Sequence, residues 1–445
     1  MVGSAAIVMR ETGEIAEPSA GLPPPAAPVA VDGAAIAPGA WSLLAFLTLL
    51  NVLNFVDRQL IAALAPLLIA ELGLSRAEIG LLAGFGFVLL YSLVGLALGL
   101  AADRWRRIPL AAGGLALWSG MTAASGMARG FAGLALPRLF VGVGEATLTP
   151  AALSMLGDVF PPRRLALASG VYYAGIPLGA AAGFAASGFI APRWGWRACF
   201  LALGAIGLVA AALLPLRREP ARRGEALLRR RPGYRELARD LAAALASRRE
   251  LVLLLAAGAL ICWGTASAIH TVTWLVQERG FDYARAAYGA GVIAVLAGLL
   301  GNLAGGTFSD WCARRRRHGH LFSLIPMSAV FVAASALFYV VPPGTPVFWL
   351  LWFVAYASAS AWFGPLFAAV QQLAPAHARA STIAFTLLAI NLLGVGPGPL
   401  VTGLIGDERG LTAGLLASLP PVVLAIVPLG LVWRRLQRAE MRARP

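Results

Sequence analysis

The chain contains no lysine; all 36 of its basic residues are arginine. Charged residues of both signs make up only 13% of its 445 residues, against about a quarter in an ordinary soluble domain. So little charge excludes a string of two or three soluble domains. Histidine is scarce too: of four, only His270 falls inside an apolar segment. Cys199, Cys262 and Cys312 are widely spaced and form no CxxC pair. That spacing argues for neither a disulfide framework nor a zinc site and leaves them as small packing residues. No metal and no cofactor is expected. One membrane histidine and scattered cysteines supply no nucleophile–base pair either, which argues against an intramembrane enzyme. No ten-residue alternating segments recur, which excludes a β-barrel. Residues 1–40, rich in Ala, Pro and Gly, lack the order of a signal peptide and read as a disordered N-terminal tail.

What is present is apolar sequence in long blocks, 59% of the chain. Twelve segments stand out, roughly 41–69, 79–100, 109–127, 131–158, 165–190, 198–216, 251–277, 286–309, 322–341, 347–371, 380–404 and 411–433. Each can cross about 30 Å of hydrocarbon as a helix. The expected fold is an all-α membrane protein of two six-helix bundles, 41–216 and 251–433. Fifty glycines suit close helix contact in lipid.

The net charge of +15 does not point to nucleic acid, because the arginines cluster between apolar blocks, where topology accounts for them. With the N-terminus inside, the inside loops hold 26 arginines and the outside loops seven. Both termini are therefore expected on the cytoplasmic side of the cytoplasmic (inner) membrane. The basic stretch 217–250 separates the bundles. Its part around 234–247 reads either as a short amphipathic helix on the membrane surface or as a solvated linker that fixes topology. Residues 434–445 read as a basic tail.

An internal echo supports two related halves. The second helix ends "GLAADRWRR", with Gly99, Asp103 and Arg104; the eighth ends "GTFSDWCARRRR", with Gly306 and Asp310. Parallel six-helix repeats of this kind build one large class of transporter. On these residues the chain resembles the major facilitator superfamily, over essentially 41–433. The Gly-x-x-x-Asp-Arg pattern resembles the superfamily's motif in the loop between helices 2 and 3. The resemblance implies gating roles for Asp103, Arg104 and Asp310, with carboxylates pairing arginines across the cytoplasmic gate. Trp105 stands where the common pattern has Gly, which weakens a match to the sugar-porter and general drug-efflux branches.

A narrower resemblance rests on "NFVDRQLIAALAPLL", "DRWRRIPLAAGGLALWS" and "RLFVGVGEATLTPAALSMLGDVFPPRRLALASGVYYAGIPLGAAAG". These are similar to the spinster-like branch, which includes sphingosine-1-phosphate exporters, lysosomal lysophospholipid transporters and bacterial relatives. The residues carried over are Asp57 and Arg58, Arg138 and Glu145, and Tyr173 before Pro177. Organic-anion and aromatic-acid carriers lie near this branch, so the substrate does not carry over with them.

The residues themselves point to a wet, charged cavity. Four charges in lipid would cost roughly 10–14 kcal/mol at about 2.5–3.5 kcal/mol each, so Asp57, Arg58, Arg138 and Glu145 must face a cavity and pair. Asn51, Asn54 and Arg58 share one face of the first helix at i, i+3 and i+7, with Asp57 about 100° round. Arg138 and Glu145 share a face of the fourth helix, about 10.5 Å apart along its axis. Burial favours the neutral form of an acid unless a cation offsets it. An anionic headgroup engaging Arg58 or Arg138 would free a carboxylate to take a proton. Glu145 is the first choice of proton carrier and Asp57 the second. A static charge network that only locks the bundle is the alternative.

Other candidates are less charged. Tyr173 reads as a headgroup contact or an interfacial aromatic. Gly175, Gly179 and Gly183 recur every four residues beside Pro177, which can bend that helix. In the second half, His270 and Trp274 lie at i, i+4, Asn391 precedes a Pro/Gly-rich "GVGPGP", and Trp362 and Phe363 are either pocket wall or packing. This asymmetry fits an amphiphile with its headgroup on the first half and its chain on the second. It also fits a small aromatic acid. The expected function is a proton-coupled secondary active transporter working by alternating access. It acts as a monomer in the lipid bilayer, on an amphiphilic substrate or, as the alternative, a small organic anion or drug-like molecule.

Overall fold

The computed structural model describes residues 36–222, 239, 242, 243, 245, 246, 248–374 and 379–442, all helix and connections, with no strand among the described residues. The first helix, α1 (Ala40–Leu72), runs between Gly39 and Gly73, whose φ values of 77° and 65° are those a side chain resists. α2 (Arg76–Ala83) opens on a capping box: Ser75 Oγ accepts the Glu78 N–H and Glu78 accepts the Ser75 N–H. It continues past Gly84 as α3 (Phe85–Arg104). α4 (Arg107–Ser125), α5 (Phe131–Glu145), α6 (Leu148–Val159), α7 (Pro162–Tyr173) and α8 (Gly175–Leu213) complete the first half. The second half holds α9 (Arg249–Ala266), α10 (Thr271–Gln277), α11 (Tyr283–Arg315), α12 (Gly319–Val340), α13 (Pro346–Ala361) and α14 (Phe363–Leu373). It ends with α15 (Arg379–Ile390), α16 (Pro397–Arg409), α17 (Leu411–Ala417), α18 (Leu419–Leu424) and α19 (Ile426–Arg442).

Ten helical stretches among the described residues are long and apolar enough to cross a membrane. One of them, Arg163–Leu216, is broken by Gly195 at φ 79° and ψ 162°, so it contains two of the segments expected from sequence. The 19-residue α4 is not among the ten. All twelve apolar segments lie on helix.

Residues 1–35 of the expected tail lie outside the described residues. Its last part is docked, with the Ala37 N–H on the Val159 carbonyl at 3.1 Å. Most of the expected surface helix around 234–247 also lies outside them. The C-terminal tail differs from expectation, since helix continues from 433 to Arg442. Trp433 packs on Phe322 with ring centroids 5.7 Å apart, and Leu436 packs against the core of the second half.

The two halves meet along the part of the bundle remote from the termini. There α2 lies against α16, α1 against α10, and α8 against α11. Glycines allow this: a Cβ on Gly80 would stand 2.3 Å from the Pro399 carbonyl oxygen, and one on Gly403 2.3 Å from that of Arg76. In lipid such backbone contact replaces the hydrophobic drive that holds soluble helices together. An apolar cluster containing Ala62, Ala180 and Phe184 from one half and Val272 and Ile293 from the other seals the same region.

Candidate functional site

Asp57 and Arg58 leave α1 in directions set by the helical twist and reach different residues of α5. The Arg138 Nη1 donates to Asp57 Oδ2 at 3.1 Å, and Thr122 Oγ1 donates to Asp57 Oδ1 at 3.0 Å. Arg58 Nε donates to Glu145 Oε2 at 2.7 Å. The seven-residue spacing of Arg138 and Glu145 thus gives each charge of α1 a partner of opposite sign.

Exposure separates the four. Asp57 and Glu145 side chains are sealed and that of Arg138 nearly so, whereas the Arg58 side chain is 24% exposed. Its guanidinium lies 4.8 Å from the Phe87 ring, 4.5 Å from Tyr91 and 5.0 Å from Phe55. Phe87 also lies 5.6 Å from the Arg138 guanidinium. These rings hold a cation without supplying a counter-charge. Among the described residues Glu145 Oε1 and Arg138 Nε are buried without a hydrogen-bond partner, so the network is incompletely satisfied there.

Arg58 and Arg138 form part of the wall of a cavity of about 380 Å³ between the halves. The same wall carries Phe87, Tyr91 and Phe184 from the first half, and the second half adds Phe331, Phe338, Tyr356 and Asn391. One side is cationic and aromatic; the rest is mostly apolar.

The end remote from the termini is latched. The N–H groups of Arg76 and Ala77 donate to the two carboxylate oxygens of Asp407 at 2.8 and 3.0 Å, so an acid of α16 caps α2 in the other half. The Arg76 guanidinium reaches the Gly406 carbonyl at 2.5 Å and Gln277 Oε1 at 3.0 and 3.1 Å.

The structure places the other expected residues as follows. Asn51 is buried and donates from Nδ2 to the Tyr172 carbonyl at 2.8 Å, and Asn54 is buried beside it; neither lines the cavity. Asn51 instead meets the end of α7 at Tyr172 and the start of α8, where Gly175 admits it. Tyr173 stands off the cavity, largely exposed, with its ring 5.4 Å from that of Tyr172. His270 is sealed, and its Nε2 meets the Pro399 carbonyl at 2.8 Å. Trp274 donates to Thr412 Oγ1 at 2.8 Å inside a cluster with Phe338, Tyr339 and Phe348. Trp362 is buried in the core of the second half. Asn391 lines the cavity.

For the expected gate, Asp310 is exposed, and of Asp103 and Arg104 only the backbone is described. Arg107, three residues beyond Arg104, forms a cluster that the sequence reading missed. Arg107 is buried, pairs with Asp158, and donates to Ser154 Oγ at 3.1 Å, Glu219 Oε1 at 3.3 Å and the Pro220 carbonyl at 2.7 Å. Burial pushes the Glu219 carboxyl up, but the N–H groups of Arg107 and Ile108 and the Arg107 guanidinium outweigh it and hold it below its ordinary value. Phe87 and Tyr91, four apart on α3, were a legible signal for the Arg58 box; Glu219 carried none. Among the described residues no cluster of His, Cys, Asp or Glu is arranged to hold a metal ion.

A family model described as Major Facilitator Superfamily matches residues 47–399. An MFS-type efflux pump of Mycolicibacterium smegmatis is 30% identical over 375 residues, 83% of this chain and 85% of the relative. A hexuronate transporter of Bacillus subtilis is 27% identical over 391 residues, 83% of this chain and 88% of the relative. Among solved structures, a bacterial homologue of the human lysosomal transporter Spinster, inward-facing and unoccupied, superposes with a TM-score of 0.79 at 25% identity. That likeness covers 89% of this chain and 97% of the other.

Proposed function

This chain belongs to the Major Facilitator Superfamily, a membrane transporter with a Spinster homologue among its structural relatives, and we propose that it is a proton-coupled secondary active transporter of an anionic or zwitterionic amphiphile. A lysophospholipid or a sphingolipid-like molecule is the substrate class that fits best. In this reading the chain crosses the cytoplasmic membrane twelve times, with both termini inside. The cavity then faces inward, because its remote end is latched by Arg76 and Asp407.

The observation that carries the proposal is the exposure of one cation on a sealed network. Arg58 faces a largely apolar cavity while its partner Glu145 does not. A phosphate or carboxylate that engages Arg58 competes with Glu145 for the guanidinium. A buried carboxylate stripped of its cation takes up a proton, since burial penalises the charged form. Release of the headgroup returns the guanidinium and expels the proton. Substrate and proton are thereby linked through one shared arginine, and the apolar wall of the second half receives the acyl chain.

A second reading is a carrier or exporter of small organic anions or drug-like molecules. An efflux pump and a hexuronate transporter, each matched over most of its length, favour it. Reconstituted uptake of labelled lysolipid, with and without an imposed pH gradient, tests the first reading. Uptake that ignores the gradient overturns proton coupling. Displacement of bound lysolipid by short organic acids at lower concentration favours the second reading.

A further inference from the structure

Between α15 and α16 the helix widens. Residues Asn391–Val395 form a π turn, closed by the Gly396 N–H on the Asn391 carbonyl at 2.9 Å. The cause is local: Pro397 and Pro399 have no N–H to offer the carbonyls of Leu393 and Val395, so the ordinary ladder cannot run through. Turns of this kind persist where neighbouring structure holds them, often at functional sites. Here three contacts hold it. A Cβ on Gly394 would stand 2.7 Å from the Cys262 Cβ, one on Gly396 2.6 Å from the Phe85 ring, and one on Gly84 2.7 Å from the Val395 carbonyl oxygen. The turn is clamped between α9 of its own half and the start of α3 of the other.

This clamp aims one polar side chain into the cavity. Asn391 is part-exposed there, and among the described residues its carboxamide has no hydrogen-bond partner. Tyr356 on α13 lines the same cavity, and among the described residues its hydroxyl makes no hydrogen bond. Both lie on the half opposite Arg58. A carboxamide in a wet cavity keeps its hydrogen bonds to water. A ligand that displaces that water and offers nothing in return leaves it unpaired, at a cost.

We propose that Asn391 is a specificity-determining residue: it reads a hydroxyl, or another neutral hydrogen-bonding group, on a substrate whose anionic group engages Arg58. The inference rests on the headgroup reading above and adds a second recognition point. A substrate that reaches both residues spans the two halves, so its occupancy bears on their relative movement. Asn391 favours ligands with a polar group beside the charge over simple alkyl phosphates.

The test is equilibrium binding to the purified full chain of two ligands, a 1-acyl-glycerol-3-phosphate and its 2-deoxy analogue. Wild type is expected to prefer the hydroxyl-bearing ligand by about tenfold, the worth of one well-made hydrogen bond. Asn391→Ala removes the preference by weakening only that ligand, and Asn391→Ser, which retains a donor and acceptor, restores part of it. Arg58→Ala weakens both ligands alike. Equal weakening of both ligands by the Asn391 variants, as a packing role would give, overturns the inference. So does a wild type that binds both equally through Arg58, which leaves the headgroup reading intact. Binding of neither ligand through Arg58 removes both.

Discussion

The Arg58 guanidinium meets the Glu145 carboxylate at 2.7 Å, with the cation 24% exposed to the cavity and the acid sealed behind it. Nothing entering the cavity touches Glu145 before it touches Arg58, so a substrate can address the acid only by taking its partner.

Glu145→Gln separates binding from coupling. The amide retains a hydrogen bond from Arg58 and cannot carry the proton. Lysolipid binding is expected within about threefold of wild type, since the loss of a charged partner frees Arg58 at a modest desolvation cost. Stimulation of uptake by an imposed pH gradient is expected to vanish, and unchanged stimulation excludes Glu145 as the coupling acid.

Asp57 and Arg138 form the more enclosed pair. Removing one partner leaves the other buried and uncompensated, at about 3–5 kcal/mol. Asp57→Ala is therefore expected to lower the melting temperature of the purified protein sharply. Asp57→Ala combined with Arg138→Leu should recover much of that loss. Recovery of stability without recovery of transport assigns the pair a transport role beyond locking the bundle.

Gly80 lies where the halves touch. The Cβ of any larger residue would stand 2.3 Å from the Pro399 carbonyl oxygen, which is backbone and cannot move aside. Gly80→Leu is expected to hold the remote end open and arrest transport. A cysteine replacing Gln59 in the cavity wall, in a Cys262→Ala background, should then react with an impermeant thiol reagent from outside. Protection equal to that of wild type sinks the latch.

Glu219 ties the segment after α8 to Arg107 and Ile108. Its carboxyl is held below its ordinary value in the fold, so in that range the unfolded chain binds more protons and stability rises with pH. The contribution is complete above the unfolded value and is lost as pH falls through the folded one. Glu219→Gln is expected to cost about 1.5–3 kcal/mol near neutrality, as for hydrogen bonds to a charged group. It should also flatten the acid side of a stability–pH profile; a variant that keeps the wild-type acid limb contradicts this.

How much was legible follows from which interactions are local. The apolar blocks, the gap between 190 and 198, and the pairing of two charges on α1 with two on α5 depend on residue order and helical period, and the chain displays both. Asn51 and Asn54 share the face of Arg58 by the same period, yet both are buried away from the cavity, Asn51 against Tyr172 and Gly175. Periodicity states which residues share a face, not which neighbour that face meets. The sequence put His270 and Trp274 on one face as substrate-site candidates, yet neither lines the cavity, and their partners, the Pro399 carbonyl and Thr412, lie more than a hundred residues away.

The sequence by itself determined that this chain lives in lipid as paired helical halves, and that its charges had to be mutual, because an isolated charge in hydrocarbon costs more than a helix can absorb. Only the tertiary structure decided which of those charges a substrate can reach. Helix packing sealed Asp57 and Glu145, left Arg138 almost covered at the cavity wall and left Arg58 open to the cavity. It also clamped a π turn that presents Asn391 across from it. Exposure is a property of neighbouring helices, and no spacing within one helix encodes it.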